Sequence, residues 1–412
     1  MARDTSASAE MCSRADSIRR VTSFDEDVRG SHTARRESPQ SMDDLSVTVL
    51  GGEDRLSAQT VWRELEEQVG DVGLTCSWDW TDVWLEHFGD LVGHDFVVVR
   101  EGSVPRAVML LTRGVGRTRH RVPVRTLHLG TAGEPKQDAI YVEYNRMLVA
   151  PAMRRAAAAA VLSVVHEDDS WDELRLDGFA PEDAAPFLAV ETSLQPRFEP
   201  CPTVDLRSAD QRNGDVLAIL TSNTRYQVRR SIRAFDAVEG HWAETIDDAF
   251  DIFGELVELH QRRWKDAGRP GVFASERFLE FHRSLVSRLF SKGAICLYRA
   301  RSPLGTIGCL YSFIERGNVF SYQLGLARFG DNKMKPGFVT HALCMQESYE
   351  RGLSDYNFLA DASPWKRELA TAERQLVWAV ASRPRLKIRL ADALGVTSRL
   401  ARRSGPDANV QG

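Results

Sequence analysis

The chain has 412 residues, 43% apolar and 27% charged, with a formal net charge of −5. That length exceeds one ordinary domain and fits two, each large enough to bury its own core. The mild negative charge excludes a globally basic nucleic-acid binder, though not a local basic patch. The six cysteines form no C-x-x-C pair and show no metal-ligand spacing with histidine, so no metal is expected and the thiols read as reduced and buried.

Residues 1–45 are rich in Ser, Arg, Asp and Glu without apolar periodicity, a composition that reads as disordered. No apolar h-region of secretory type is present near the start, and the longest apolar run, Ala156–Val165, is about half of a bilayer span. The expectation is a cytoplasmic protein with no membrane insertion.

From there a pattern of seven elements occurs twice. The first copy predicts helices over 57–69 and 78–88, strands over 95–100, 104–113 and 124–130, a helix over 151–166 and a strand over 171–177. The second predicts helices over 247–265 and 275–291, strands over 294–300, 304–314 and 318–327, a helix over 337–352 and a strand over 354–360. Short β-branched or aromatic runs between turn residues mark the strands, as in Phe96-Val97-Val98-Val99 and Ile295-Cys296-Leu297-Tyr298. A meander followed by a helix and a parallel-type strand is an α/β (α+β) layer arrangement, here duplicated. The expected organisation is a disordered segment 1–45, a first half 46–205, a second half 206–382, and a basic helix with a disordered tail over 383–412.

Between the halves, Thr224 to Arg233 reads as a helix on which Arg225, Arg229 and Arg233 share a face, with Arg230 beside them. Guanidinium groups in that array suit a phosphate ligand; the competing reading is a solvated surface face. Farther on, Lys333-Met334-Lys335-Pro336-Gly337 opens a helix after a strand. Free amides at such a start, with the lysines beside them, suit a pyrophosphate, although an ordinary strand–helix loop reads the same way.

Asp361 and Lys366 sit where a buried strand is expected to end and a short helix to begin. That is a usual place for ligand contacts, and a structural ion pair is the alternative. His260 shares a helix face with Trp264; it could accept a proton from an amine, or simply pack. No Gly-x-Ser-x-Gly, Walker A or His-Glu-x-x-His motif occurs, which excludes the sequence signatures of serine hydrolases, P-loop kinases and zincins. The closing helix, Pro384 to Arg403, carries Leu386, Leu390 and Leu394 on one stripe, expected to pack on the body or a partner.

Taken as a set, Arg225–Arg233, Glu258-Leu259-His260 to Trp264, Gly271-Val272-Phe273, Lys335-Pro336-Gly337, Asp355, and Phe358-Leu359 to Trp365-Lys366 resemble the GNAT-like acetyltransferase domain of the bacterial cellulose-biosynthesis (CelD/BcsL) type. Trp365 stands where that family commonly has tyrosine, and Ala362 where it has a second acid. The resemblance implies two tandem GNAT-like domains of mixed sheets flanked by helices, the first degenerate and shaping the acceptor site. It implies acetyl-CoA or another acyl-CoA as co-substrate and direct acyl transfer to an amine or hydroxyl of a small metabolite or saccharide. The donor would lie against Arg229, Arg230, Leu324, Leu326, Lys335, Pro336 and Gly337, with His260, Asp361 and Lys366 as catalytic candidates. Backbone amides near Leu324–Leu326 would polarise the thioester carbonyl. A related branch with doubled halves, the Fem type, uses aminoacyl-tRNA as donor and is the rival reading, with a non-catalytic GNAT-fold binding protein as a further alternative; DNA is not expected as a partner, and the assembly would be a monomer or homodimer.

Overall fold

The computed structural model describes residues 45–403, apart from Asp71, Ala362 and the side chains from 396 onward. The segments read as disordered, Cys12 among them, lie outside the described residues, except Leu45, which starts a strand.

In the first half, β1 (Leu45–Gly51), α1 (Arg55–Val69) and α2 (Trp78–Phe88) lead into the hairpin β2 (His94–Glu101) and β3 (Val104–Arg113). A short ribbon, β4 (Thr118–Arg119) with β5 (Val122–Pro123), precedes β6 (Thr126–Leu129). Then come β7 (Leu148–Val149), α3 (Arg154–Glu167), β8 (Glu173–Phe179), α4 (Pro181–Val190) and β9 (Gln195–Asp205). The second half runs α5 (Ser222–Ala234), β10 (Glu239–Trp242), α6 (Ile246–Asp266), α7 (Glu276–Leu289), β11 (Ile295–Ser302), β12 (Gly305–Glu315) and β13 (Asn318–Leu326). It continues with α8 (Pro336–Glu350), β14 (Asp355–Asn357), α9 (Pro364–Leu369), β15 (Ala372–Ser382) and α10 (Leu386–Arg403).

The main sheet follows the order β1-β2-β3-β6-β8-β15-β9-β14-β13-β12-β11-β10. Read from either end, that order meets equivalent elements. Each half builds an antiparallel meander and adds a parallel strand, β8 beside β6 and β14 beside β13. The halves then exchange their last strands: β15 of the second pairs with β8 of the first, and β9 of the first pairs with β14 of the second. β15 and β9 pair along nine residues at the centre.

Alternation distributes the core. Phe96 and Val98 face one layer and Val97 and Val99 the other, so the run is buried on both sides. β11 repeats this, with Ile295 and Leu297 on the first layer and Cys296 and Tyr298 on the second. The first layer holds α1, α2, α6 and α7, and α2 meets α7 through the edge-to-face pair Trp80–Phe281, with centroids 5.5 Å apart. The second layer places α3 on the first half and α8 with α5 on the second.

Three differences from the sequence expectation matter. β9 was not predicted, because Pro196, Pro200 and Pro202 argue against a central strand. Those alternate positions point away from β15, to the side where β9 has no partner strand beyond Thr203, so the β9–β15 ladder loses no donor. The strand expected to end at Asp361 stops at Asn357: the Phe358 amide still reaches the Pro202 carbonyl (3.0 Å) in the same register, but Pro202 has no amide to return the bond, and Leu359 takes φ 62°. On α10, Leu386 and Leu390 are 73% and 56% exposed and the inward row is Ile388 and Ala391, because Arg385 and Lys387 fasten the helix to Asp172.

Candidate functional site

β13 pairs with β14 only at Asn318–Phe320, after which Ser321–Leu326 has no partner strand on that side. The two parallel strands splay there. A bulge opposite Tyr311 and Ser312 adds Tyr322 to the strand at the same point.

α8 starts beside the splay. Pro336 opens the helix, no side chain caps it, and its first turn holds no acid. A Cβ on Gly337 would meet only the Leu326 side chain, at 3.2 Å, so the helix start is approachable. One turn on, His341 stacks on Trp365 of α9, with centroids 5.3 Å apart, and its Nδ1 meets the Tyr356 hydroxyl at 2.9 Å. Burial, then Lys366, lowers its pKa to about 3, so the imidazole is neutral.

α5 packs against this start. Ser231 accepts from the Lys335 amide (2.7 Å), and Gln227 accepts from the Lys335 ammonium. Arg230, next in the chain to Ser231, holds its guanidinium 5.8 Å from the Tyr226 ring centroid, with its Nε buried and without a hydrogen-bond partner. Arg229 instead reaches Asp215 (3.3 Å), Arg225 donates to the Ala218 carbonyl (3.1 Å), and Arg233 is exposed. The arginines expected on one face therefore divide: Arg229 goes to an acid, Arg225 to a carbonyl, and Arg230 to the Tyr226 ring.

His260 lies on the other layer. α6 crosses β13 where Leu256 abuts Gly325, and a turn later Trp264 donates to His260 Nε2 (2.9 Å) while His260 Nδ1 meets Gln261 (3.2 Å). Both ring nitrogens are engaged, and burial lowers the pKa.

On the far rim, Lys366 donates to the Ala360 carbonyl (2.7 Å) and Asp361 is exposed with φ 81°. Burial lowers the Lys366 pKa, with Glu143 and Asp361 acting against it. Glu143, which sequence reading missed, comes from the first half: it accepts from the Ala360 amide (2.7 Å), and burial raises its pKa to about 7 against that bond and Lys366. Next to it, the Tyr144 hydroxyl accepts from Asn357 (2.5 Å), and its ring lies 4.8 Å from Phe320. Tyr322 donates to the Ile140 carbonyl (2.7 Å).

Glu143 lines a narrow apolar pocket, with about 400 Å³ of empty space including the open solvent at its mouth, at the splay point with Tyr144, Phe320, Tyr322 and Leu359. Tyr141, Tyr144, Leu359 and Asp361 all hold positive φ around it. Left-handed non-glycine residues cost on the order of 1–3 kcal/mol each, and such strain concentrates at working sites. The only sequence signal for Glu143 was a charged residue between tyrosines in an unassigned loop.

Residues 222–367 match the family model of an acetyltransferase (GNAT) domain. That match runs from α5 into α9 of the second half. No curated protein matches the chain. Among solved structures, FemX superposes with a TM-score of 0.53 at 8% identity, covering 84% of this chain and 99% of that one; at that identity the match shows the fold. L-PGS from Bacillus licheniformis gives 0.46 at 11%, covering 81% of this chain and 99% of that one. A tandem GNAT protein from the clavulanic acid biosynthesis pathway gives 0.42 at 15%, covering 82% of this chain and 98% of that one. Among the described residues, no group of His, Cys, Asp and Glu could hold a metal ion, and no helix is long and apolar enough to cross a membrane.

Proposed function

We propose that the chain is an acyl-CoA-dependent acyltransferase of the CelD/BcsL-like kind, moving an acetyl or longer acyl group to an amine or hydroxyl of a small metabolite or saccharide. The observation that carries this reading is the uncapped start of α8 at Pro336-Gly337, opening on the unpaired stretch of β13. The Gly337 and Phe338 amides, with Arg230 and Lys335 beside them, would hold the diphosphate. The backbone at Leu324 and Leu326 would hold the pantetheine arm and polarise the thioester carbonyl.

Glu143 is the base in this reading. A carboxyl titrating near neutrality suits that task. The acceptor nitrogen attacks the thioester carbon and loses a proton to Glu143, and the C–S bond breaks to release the CoA thiolate. Lys366 and Asp361 set the charge around Glu143; His260, with both nitrogens engaged, supports α6. The first half supplies Glu143 and has no donor site of its own.

The exposed Arg229 and Arg233 keep an aminoacyl-tRNA donor as the second reading. Melting the protein with acetyl-CoA, longer acyl-CoAs, free CoA and tRNA separates the two. A rise with CoA thioesters that Gly337→Glu abolishes is expected. Salt-dependent binding of tRNA with no response to CoA would replace the first reading by the second.

A further inference from the structure

A second cavity, with about 990 Å³ of empty space, opens on the other side of Glu143. It shares Tyr141, Val142 and Glu143 with the apolar pocket, and its remaining wall comes from the first half and from Trp378 of the exchanged strand β15. Four cations line it: Arg117, Lys136, Arg175 and Arg197. Arg175 meets Glu173 (3.0 Å) and Arg197 pairs with Glu199. Neither Arg117 nor Lys136 lies within ion-pair distance of an acid among the described residues; Arg117 Nε is buried without a hydrogen-bond partner, with Glu134 and Asp177 acting on the guanidinium from farther off.

The acids on the wall are partly engaged elsewhere. Asp177 meets His128 Nδ1 (2.6 Å) and lies 3.7 Å from Arg175, and His128 Nε2 meets Thr126 Oγ1 (2.8 Å). Glu134 accepts from Trp84 Nε1 (2.5 Å), and burial raises its pKa to about 7, as it does for Glu143. A buried guanidinium Nε without a partner, with the exposed Lys136 ammonium at the rim, suits an anion, and a base on the same wall suits an amine.

We infer that this cavity is the acceptor site and that it takes an amine carrying a carboxylate or phosphate, with the anion on Arg117 and Lys136 and the nitrogen at Glu143. This rests on the acyltransferase reading for the reaction, but the binding is testable without it. Trp378 offers a flat wall for the carbon frame, and Arg197 sits 5.8 Å from its ring centroid. The strand exchange thus lets both halves contribute to one substrate.

The full chain would be melted with free L-amino acids against their C-terminal amides, and with glucosamine 6-phosphate against glucosamine. The anionic member of at least one pair is expected to raise the melting temperature and its neutral counterpart not to; which pair responds tells carboxylate from phosphate. Arg117→Gln should remove the rise and Arg117→Lys keep part of it; Lys136→Gln, on the surface rim, should weaken binding without threatening the fold. With acetyl-CoA as donor, Arg117→Gln should raise KM for the anionic acceptor about tenfold, leaving kcat within about twofold. Equal response to charged and neutral members, no response to any, or equal loss for both in Arg117→Gln, would overturn the inference. Anionic amines binding while CoA thioesters do not would overturn the donor reading and leave this one standing.

Discussion

The two parallel strand pairs, β6 with β8 and β13 with β14, have the same neighbours and connections, yet only the second opens. In the first, Asn145 donates from its side chain to the Leu129 carbonyl (2.9 Å) and from its backbone to Gly178 (3.0 Å), and it bridges to Phe179. The gap is stitched shut: a Cβ on Gly130, at φ 100°, would strike the Asn145 side chain at 2.3 Å. The following helix also starts differently, through a 3-10 turn at Pro151–Met153 that buries Met153, with Arg154 paired to Asp183 (3.8 Å). In the second pair the corresponding space lies beside Gly337 with nothing nearer than Leu326. One half has turned its cleft into structure, and the loop that does so, residues 131–147, carries Glu143 to the cleft of the other.

The sharpest way to break this comparison is to place the same charge at both helix starts. Gly337→Glu should abolish the CoA-induced melting shift and lower kcat/KM by about a thousandfold or more, since it sets bulk and negative charge where the diphosphate binds. Ala152→Glu, at the exposed start in the first half, should leave the shift intact. Loss of the shift in Ala152→Glu would mean that both clefts bind donor.

Glu143→Gln tests whether the first half supplies the base. A loss of about 10²–10⁴ in kcat is expected. In the parent protein kcat/KM should rise with pH through about 7, because Glu143 must be ionised to accept a proton, and the variant should lose that limb. A variant keeping both rate and limb would return the base to Lys366 or Asp361.

Glu134→Gln separates stability from chemistry. A carboxyl raised from 4.5 to about 7 is held protonated by the fold, so its contribution is present below pH 4.5 and is lost as pH rises through about 7. The variant keeps an acceptor for Trp84 and has nothing to ionise. Its advantage should grow to at most about 3 kcal/mol at pH 8 and vanish near pH 4, read by denaturant titration at both pH values. A pH-independent difference would place Glu134 in contact with water. The smallest effect belongs to Arg229→Ala: with its side chain on Asp215, donor affinity should change less than about threefold in calorimetry, and a larger loss would put Arg229 on the diphosphate.

The sequence by itself determined the duplicated elements, the α/β layers and the helix start at Pro336-Gly337, because each rests on local periodicity and on Pro and Gly chemistry. It also marked the segment from Phe358 to Lys366, though it carried the strand four residues too far. Tertiary structure decided the rest. The exchange of β9 and β15 depends on pairing across more than 160 residues, and three prolines hid one partner. Glu143 lies more than 210 residues from the Ala360 amide it meets, so only the folded chain brings it to the cleft. That Arg229 is drawn to Asp215, fourteen residues back, and that Trp264 donates to His260 were likewise set by side-chain directions that residue spacing does not record.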